Sequence, residues 1–538
     1  MQEFDFIVVG AGSAGCVVAE RLTADGRFTV LLLEAGGTDR RFYVQMPLGY
    51  GKTFFDPRVN WNFRAEPDPG LAGNADHWPR GKLLGGSSSI NAMVWIRGQR
   101  EDYDAWAAAG NAGWSFDDLL PFFKAVEHNE AGANEWRGRG GPVHVSDMRP
   151  HIHPLTHRYL EAARQAGLPD NPDFNGPMQE GVGIYQITTR NGRRMSAARA
   201  FLRKAMKRRN LKVETRAHAT RILFEGRRAV GVEYVRNGAP VQARARREVI
   251  LSAGSVGSPQ LLELSGVGEP ALLSGLGIEV IQASRQVGEN LQDHLGINYT
   301  WKAKLPTLNQ ILRPWWGKLL VGAQYLLLRT GPLSMSMNQG GGFFRTDESR
   351  DRPNMQLYFQ AFSTVIPKPG ERPILSPDPW SGFSIGLSNC RPTSRGSIHI
   401  RSRDPLTAPR IVPNAYSTDN DVEEMLAAVK FLRRIAAQPA LAEVIEEEIL
   451  PGPACRSDEA LIDDFRRRSG TVYHPVSTCR MGPEPAAAVV DPRLRVHGLS
   501  GLRVIDASVF PSVISGNTNA AAIVTGAKGA AMVLEDQG

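Results

Sequence analysis

The feature that most constrains this chain lies within its first 34 residues. Phe6-Ile7-Val8-Val9 is an apolar run of the length of a buried parallel strand, and it leads into Gly10-Ala11-Gly12-Ser13-Ala14-Gly15. The pattern predicts a strand, a tight turn and then a helix from Cys16 to Leu22. Gly10 permits the turn, Gly12 lets a pyrophosphate approach the backbone, and Gly15 lets the helix pack closely on the strand. A second apolar run from Thr29 to Leu33 ends at Glu34, where a carboxylate can accept from ribose hydroxyls. A dinucleotide site is expected here. The glycines do not choose between FAD and NAD, but the acid calls for a free 2'-hydroxyl and so disfavours NADP.

At 538 residues the chain exceeds the size at which one core keeps growing, so two domains, interleaved in sequence, are expected. A content of 42% hydrophobic and 22% charged residues excludes disorder and collagen-like structure. No apolar stretch reaches the roughly 18 residues of a spanning helix, and Met1 to Asp5 runs straight into the first strand without a basic leader. Cys16, Cys390, Cys455 and Cys479 have no CxxC spacing, which argues against a zinc ribbon or disulfide framework and for a reducing, cytoplasmic location. The net charge is +8, yet 190–248 alone holds 18 Lys and Arg against four acids. Within it, Ser196 to Arg209 reads as a surface helix capped by Ser196, with Phe201, Leu202, Ala205 and Met206 on one face. Peripheral contact of 190–248 with the anionic lipid of an inner membrane stays open; a nucleic-acid partner is not expected.

Gly81-Lys82-Leu83-Leu84-Gly85-Gly86-Ser87-Ser88-Ser89-Ile90-Asn91 offers close backbone approach plus hydroxyl donors, as a second phosphate or ring contact needs. A plain Ser/Gly loop would look similar, but the apolar Ala92 to Ile96 that comes next argues for burial. With these segments the sequence resembles the glucose-methanol-choline oxidoreductases, a family of FAD-dependent alcohol oxidoreductases. Gly81 to Asp104 looks like the first family signature and Gly254 to Gly268 like the second, both without a gap. Val287 to His294, His474 to Gly482 and Gly501 to Pro511 look like further landmarks, so the resemblance covers essentially the whole chain. Trp78 to Lys82 and Ser515 to Ala520 are most similar to the bacterial choline-dehydrogenase-like and membrane-associated alkanol dehydrogenase branch.

The resemblance implies an α/β fold, α+β overall. A Rossmann-like FAD-binding domain is assembled from the discontinuous segments 1–150, 196–298 and 471–538. A substrate-binding domain, 151–195 and 299–470, carries an antiparallel sheet flanked by helices. Independently, Met355 to Phe359 and Ser397 to Ile400 alternate as strands do, and Asp421 to Ala437 reads as a helix. For FAD the resemblance implies contacts from Gly10, Gly12, Ser13, Ala14, Gly15, Glu34 and Ala35. A second group is Arg80, Leu84, Gly86, Ser87, Asn91, Ala92, Met93 and Val94, and the rest are Ala219, Ala253, Gly254, Asp506, Ala507, Thr518 and Asn519.

Alcohol oxidation by a flavin needs a base for the hydroxyl proton, a hydride acceptor at flavin N5 and a partner that holds the oxygen. Histidine suits the first role. His474, before Pro475 in a polar stretch, corresponds to the family's catalytic histidine; the competing reading is a buried structural histidine. Asn517 matches the second family position, with Asn519 a poorer match, and an Asn can act there only by hydrogen bonding. In covalently flavinylated choline oxidases a histidine comes just after the Gly-Gly-Xaa-Ser-Ser run. Ile90 stands at that place, so non-covalent FAD is expected.

The expected reaction is oxidation of a primary alcohol to an aldehyde, with electrons passed to a quinone, a dye-type acceptor or oxygen. A hydroxynitrile lyase that keeps FAD structurally, or a choline dehydrogenase or oxidase, is the alternative. A nicotinamide dehydrogenase is disfavoured by the second glycine cluster and the Asp506 segment. Choline needs a carboxylate or aromatic cage, and no residue of 299–470 is assignable to one. His151, His153 and His157, without accompanying carboxylates, read as a solvated loop and not a metal site. No GxSxG elbow supports a hydrolase. Trp315-Trp316, and Tyr358-Phe359 with Phe362, read equally as a substrate entrance or as core. The oligomeric state is not legible.

Overall fold

Strand Gln2–Val9 pairs in parallel with Val30–Glu34 on one side and with Ala239–Leu251 on the other. Phe6 to Val9 and Val30 to Leu33 are buried, the unbroken apolar pattern of parallel strands covered on both faces. The sheet runs Leu211–Thr215, Val30–Glu34, Gln2–Val9, Ala239–Leu251, Arg228–Arg236, Ala217–Glu225, and Leu502–Val504 also pairs in parallel with Ala239–Leu251. This computed structural model describes residues 2–365 and 376–538. Met1 and positions 366–375, which fall in the expected 1–150 and 299–470 segments, lie outside the described residues.

The predicted first helix begins earlier than expected, at Ser13, and runs to Leu22. It packs against the last helix, Asn519–Asp536. A Cβ on Gly15 would lie 1.9 Å from the Gly10 carbonyl oxygen, so only glycine allows the helix to leave the turn at this angle.

The second large sheet is antiparallel, in the order Ile445–Leu450, Leu295–Ala303, Gly382–Asn389, Met355–Gln360, Gly340–Phe344, Gly181–Ile184. Gly470–Thr471 adds beside Leu295. Helices Pro154–Gln165 and Asp419–Ala436 pack on it, the latter burying Met425, Val429 and Leu432. His153 caps the first of these through Nδ1, which accepts from Leu155 N at 3.2 Å, and His157 lies inside that helix. Of the three histidines expected in a loop, His151 ends the 3-10 turn Arg149–His151 and His157 is helical, which leaves His153 alone between them.

The basic stretch also differs from expectation. After Ser196, whose Oγ accepts from Arg199 N at 3.3 Å, the chain makes a π turn over Ala198–Leu202 and is α-helical only over Arg203–Ala205. The wider turn rotates the next residues about the helix axis. Phe201, Leu202 and Ala205 stay buried while Met206 is exposed. Of the 18 cations of 190–248, eight form ion pairs among the described residues: Arg203 with Asp39, Arg208 with Glu20, Lys212 and Arg236 with Glu214, Arg221 with Glu233, Arg244 with Glu225, Arg246 with Glu3 and Asp5, and Arg247 with Asp5. No helix among the described residues is long and apolar enough to cross a membrane.

One ion-paired histidine ties strand Ser397–His399 to helix Gly254–Leu264. His399 Nδ1 lies 2.7 Å from Glu263 and Nε2 lies 3.0 Å from Glu289. Burial alone would lower the His399 pKa, but the two carboxylates outweigh it and raise it from 6.5 to about 9. A folded-state value above the unfolded one contributes stability that is complete below about pH 6.5 and lost as pH rises through about 9. The thermal midpoint of the protein is therefore expected to fall more steeply over this window than that of His399→Gln. Parallel curves in scanning calorimetry would contradict this.

Candidate active site

Three backbone hydrogen bonds bring the site together. Gly10 N donates to Leu33 O at 2.8 Å, Ser252 N to Val9 O at 2.7 Å, and Ile505 N to Leu251 O at 2.7 Å. The carboxyl ends of the parallel strands thus finish level, where open α/β sheets bind ligands. They open on a cavity of about 630 Å³, within the range of cofactor and ligand sites. Of the residues expected to touch FAD, all line this cavity except Gly15 and Leu84. Gly15 serves the helix crossing, and Leu84 is buried under the glycine loop, its carbonyl accepting from Ser89 Oγ at 2.8 Å.

The wall fits a flavin dinucleotide. Helix Ser13–Leu22 starts at Gly12 with no side-chain cap, so its first N–H groups face the cavity and suit a pyrophosphate. Helix Asn519–Asp536 also starts without a side-chain cap, at Thr518, on the same cavity, and Asn519 Oδ1 accepts from Ser13 Oγ at 2.8 Å. The Glu34 carboxylate accepts from Gly36 N at 2.8 Å and Ala11 N at 3.1 Å, and burial raises its pKa to about 7. Its remaining lone pairs are available to ribose hydroxyls. Asp506 is used differently. It accepts from Gly254 N, Ser258 Oγ and Ser508 N at 2.6–2.8 Å and so anchors the start of helix Gly254–Leu264. Met93 holds φ at +66°, a conformation costly for a non-glycine side chain, and Asn91 Oδ1 accepts from its N–H at 3.1 Å.

At the other end of the cavity His474 and Asn517 meet, with Asn517 Nδ2 3.1 Å from His474 Nε2. Tyr473, with φ of +72°, turns the chain so that His474 N donates to Asp293 Oδ1 at 2.7 Å. Behind the ring, His474 Nδ1 lies 3.0 Å from His294 Nδ1, and His294 Nε2 lies 2.9 Å from Cys390 O. A carbonyl only accepts, so the His294 proton sits on Nε2. Its Nδ1 then accepts from Nδ1–H of His474, which leaves the His474 Nε2 lone pair toward the cavity. Burial, reinforced by His294 and Arg80, holds the His474 pKa well below 6.5, and burial lowers that of His294 to about 4. Both rings are neutral near pH 7. Asn517 Oδ1 accepts from Gln356 Nε2 at 3.2 Å, which aims the amide nitrogen at His474 and leaves one N–H for an incoming oxygen.

His294, Asp293 and Gln356 contact His474 or Asn517 at the candidate site, and the sequence pattern does not single them out. His294 and Asp293 lie in the Val287 to His294 landmark, which is signal enough to ask what a buried histidine there would face. Gln356 sits in an alternating strand that carries no such mark. The substrate side of the cavity is walled by Tyr50, Phe54, Met337, Tyr358, Leu387 and Tyr473, with Phe54 and Tyr473 rings 5.1 Å apart and Tyr50 and Phe54 rings 5.9 Å apart. Tyr358 therefore lines the cavity, whereas Phe359 and Phe362 are buried core and Trp315 and Trp316 are exposed to solvent. Ile90 borders the cavity and packs with Val44, Val59 and Leu83.

Sequence profiles described as GMC oxidoreductase match residues 4–296 and 392–526. The chain is 42% identical to an alcohol dehydrogenase [acceptor] of Pseudomonas putida, over 99% of this chain and 96% of that one. It is 43% identical to an oxygen-dependent choline dehydrogenase of Chromohalobacter salexigens, over 98% and 94% of the two chains. Among solved structures it superposes on a pyridoxine 4-oxidase from Mesorbium loti with a TM-score of 0.88, at 31% identity and 99% coverage of both chains.

In His294→Ala, the proton on His474 Nδ1 loses its acceptor and the tautomer is no longer held. Alcohol-dependent dye reduction is expected to fall about tenfold to hundredfold, the scale of losing a ligand-orienting partner. Flavin absorbance per chain should be unchanged, and a rate within about twofold of the parent would remove His294 from the site.

Proposed function

The chain belongs to the GMC oxidoreductases, and on that premise we propose that it oxidises a primary alcohol to the aldehyde with His474 as the base. The observation that carries this reading is the neutral His474 Nε2 lone pair held 3.1 Å from Asn517 Nδ2 at the end of a dinucleotide-sized cavity. Bound FAD supplies the hydride acceptor, flavin N5. The substrate hydroxyl displaces Asn517 as donor to the single Nε2 lone pair of His474, which takes the proton, while the N–H groups of Asn517 donate to the oxygen as charge develops. Because Asn517 is oriented beforehand by Gln356, little reorganisation accompanies the step. Gly10, Gly12, Ser13, Ala14, Glu34, Ala35, Ala219, Ala253 and Gly254 would hold the adenosine and pyrophosphate. Arg80, Gly86, Ser87, Asn91 to Val94, Ala507, Thr518 and Asn519 would hold the ring system.

FAD is bound without a covalent link, because Ile90 offers no nucleophile to the flavin. Electrons leave to a quinone, a dye-type acceptor or oxygen. Choline is the second substrate reading, favoured by one observation: Tyr50, Phe54 and Tyr473 form an aromatic cluster on the cavity wall, outside the 299–470 region, suited to a quaternary ammonium. Apolar primary alcohols fit the same wall.

Anaerobic addition of a reactive alcohol is expected to bleach the oxidised flavin spectrum, and His474→Ala to slow bleaching about 10² to 10⁴-fold. An unchanged spectrum across aliphatic, aromatic and choline-like alcohols, with cyanohydrin cleavage, would favour a lyase instead. Acid precipitation should leave the yellow colour in the supernatant; colour retained in the pellet would contradict dissociable FAD.

A further inference from the structure

Helix Trp315–Leu328 is apolar on the side that faces solvent. It is held to the protein by Gly317, Val321 and Tyr325, its buried residues, which recur every four positions. Around that stripe Trp315 is 74% exposed, Leu319 64%, Leu327 81% and Leu328 68%, and Trp316 and Leu320 are more than half exposed. Phe42 and Tyr43, both about half exposed, continue the surface, with the Phe42 ring 6.2 Å from that of Tyr325. A contiguous patch of this kind on a folded chain marks a binding surface.

Cations flank it, and the acid that acts on Arg41, Asp56, is itself bound to Arg58. The helix contains Lys318 and no acid. Arg329 ends it and stacks over Tyr325 at 4.8 Å, and Gly192 packs against Arg329, which brings the neighbouring Arg193 close. Arg40 and Arg41 precede Phe42. None of Arg40, Arg41, Arg193, Lys318 and Arg329 forms an ion pair among the described residues. Tryptophans and leucines flanked by unpaired cations complement an anionic lipid surface, where the rings sit at headgroup level. A second copy docking through the same patch would set these cations against themselves.

We propose that this face docks the protein on anionic bilayers, with helix Trp315–Leu328 lying in the interface. Both segments of the patch run into the cavity wall: Met337 and Asn338 lie nine and ten residues past Leu328, and Tyr50 lies seven past Tyr43. The turn Pro332–Ser334 packs on Pro47–Gly49 between them. If the reaction is as proposed, an apolar alcohol or a membrane quinone reaches the site from the bilayer; the docking itself does not depend on that reaction.

The test is co-sedimentation of the FAD-loaded protein with phosphatidylcholine vesicles, with and without about 30 mol% phosphatidylglycerol. The expected result is binding to the anionic vesicles that weakens with salt without vanishing, since part of it is apolar. Leu319→Glu/Leu327→Glu should reduce that binding at least about tenfold, with thermal midpoint and the soluble dye-linked rate unchanged. Arg244→Glu/Arg246→Glu should bind like the parent. The proposal is overturned if the parent stays in the supernatant, if the double Glu variant sediments as the parent does, or if the Arg variant alone loses binding. It is also overturned if, without vesicles, velocity sedimentation finds a dimer that the double Glu variant dissolves.

Discussion

The level ending of three parallel strands is the constraint on which the rest of this structure depends. Val9, Leu33 and Leu251 are linked through backbone hydrogen bonds to Ser252, Gly10 and Ile505, so loops separated by nearly the whole chain emerge at one edge. Two helix N-termini, from the first and last helices, then point into one cavity, tied by Ser13 and Asn519. A β-sheet achieves this cheaply, because strand pairing sets position along the strand regardless of distance in sequence. The tight turn at Gly10 and the crossing at Gly15 keep the first helix close enough for its N–H groups to reach the ligand side.

On the opposite wall the organising element is a polar chain. It runs from the Cys390 carbonyl through His294 and His474 to Asn517 and Gln356. Gln356 belongs to a strand of the antiparallel sheet, Cys390, His294 and His474 lie in loops at the ends of that sheet's strands, and Asn517 lies in the loop before the last helix. Each link removes a choice: a carbonyl that only accepts orients His294, which orients the proton of His474, while Gln356 orients the amide of Asn517. In a buried setting such a fully partnered chain is rigid, and an unpartnered member would be costly. The apolar surroundings that keep both rings neutral are the same ones that make this partnering necessary.

The surface illustrates a different lesson. The excess of cations in 190–248 is conspicuous in composition, but eight of the 18 are ion-paired in the fold among the described residues, several by acids such as Glu3, Asp5, Glu20 and Asp39 that lie far away in sequence. The apolar helix at 315–328 is the opposite case: as a string it reads like core, and it is one of the most exposed apolar surfaces of the molecule. Neither the pairing of the cations nor the exposure of this helix is encoded locally.

The local pattern by itself determined the nucleotide-binding edge, since Val9, Gly10, Gly12, Gly15 and Glu34 act through backbone geometry and short-range spacing. The resemblance to a known family, carried by contiguous motifs, extended this to the second glycine loop and to His474 and Asn517. The tertiary structure decided what depends on juxtaposition across the chain. It determined which proton His474 keeps, through His294 and Cys390; the aromatic wall of Tyr50, Phe54 and Tyr473; and the exposure of Trp315 and Trp316. It also took Leu84 off the cavity and turned Met206 outward through a π turn. The physical reason is the same throughout: backbone conformation is set by near neighbours, whereas burial, hydrogen-bond partnership and charge compensation are set by whatever the fold brings within a few ångströms.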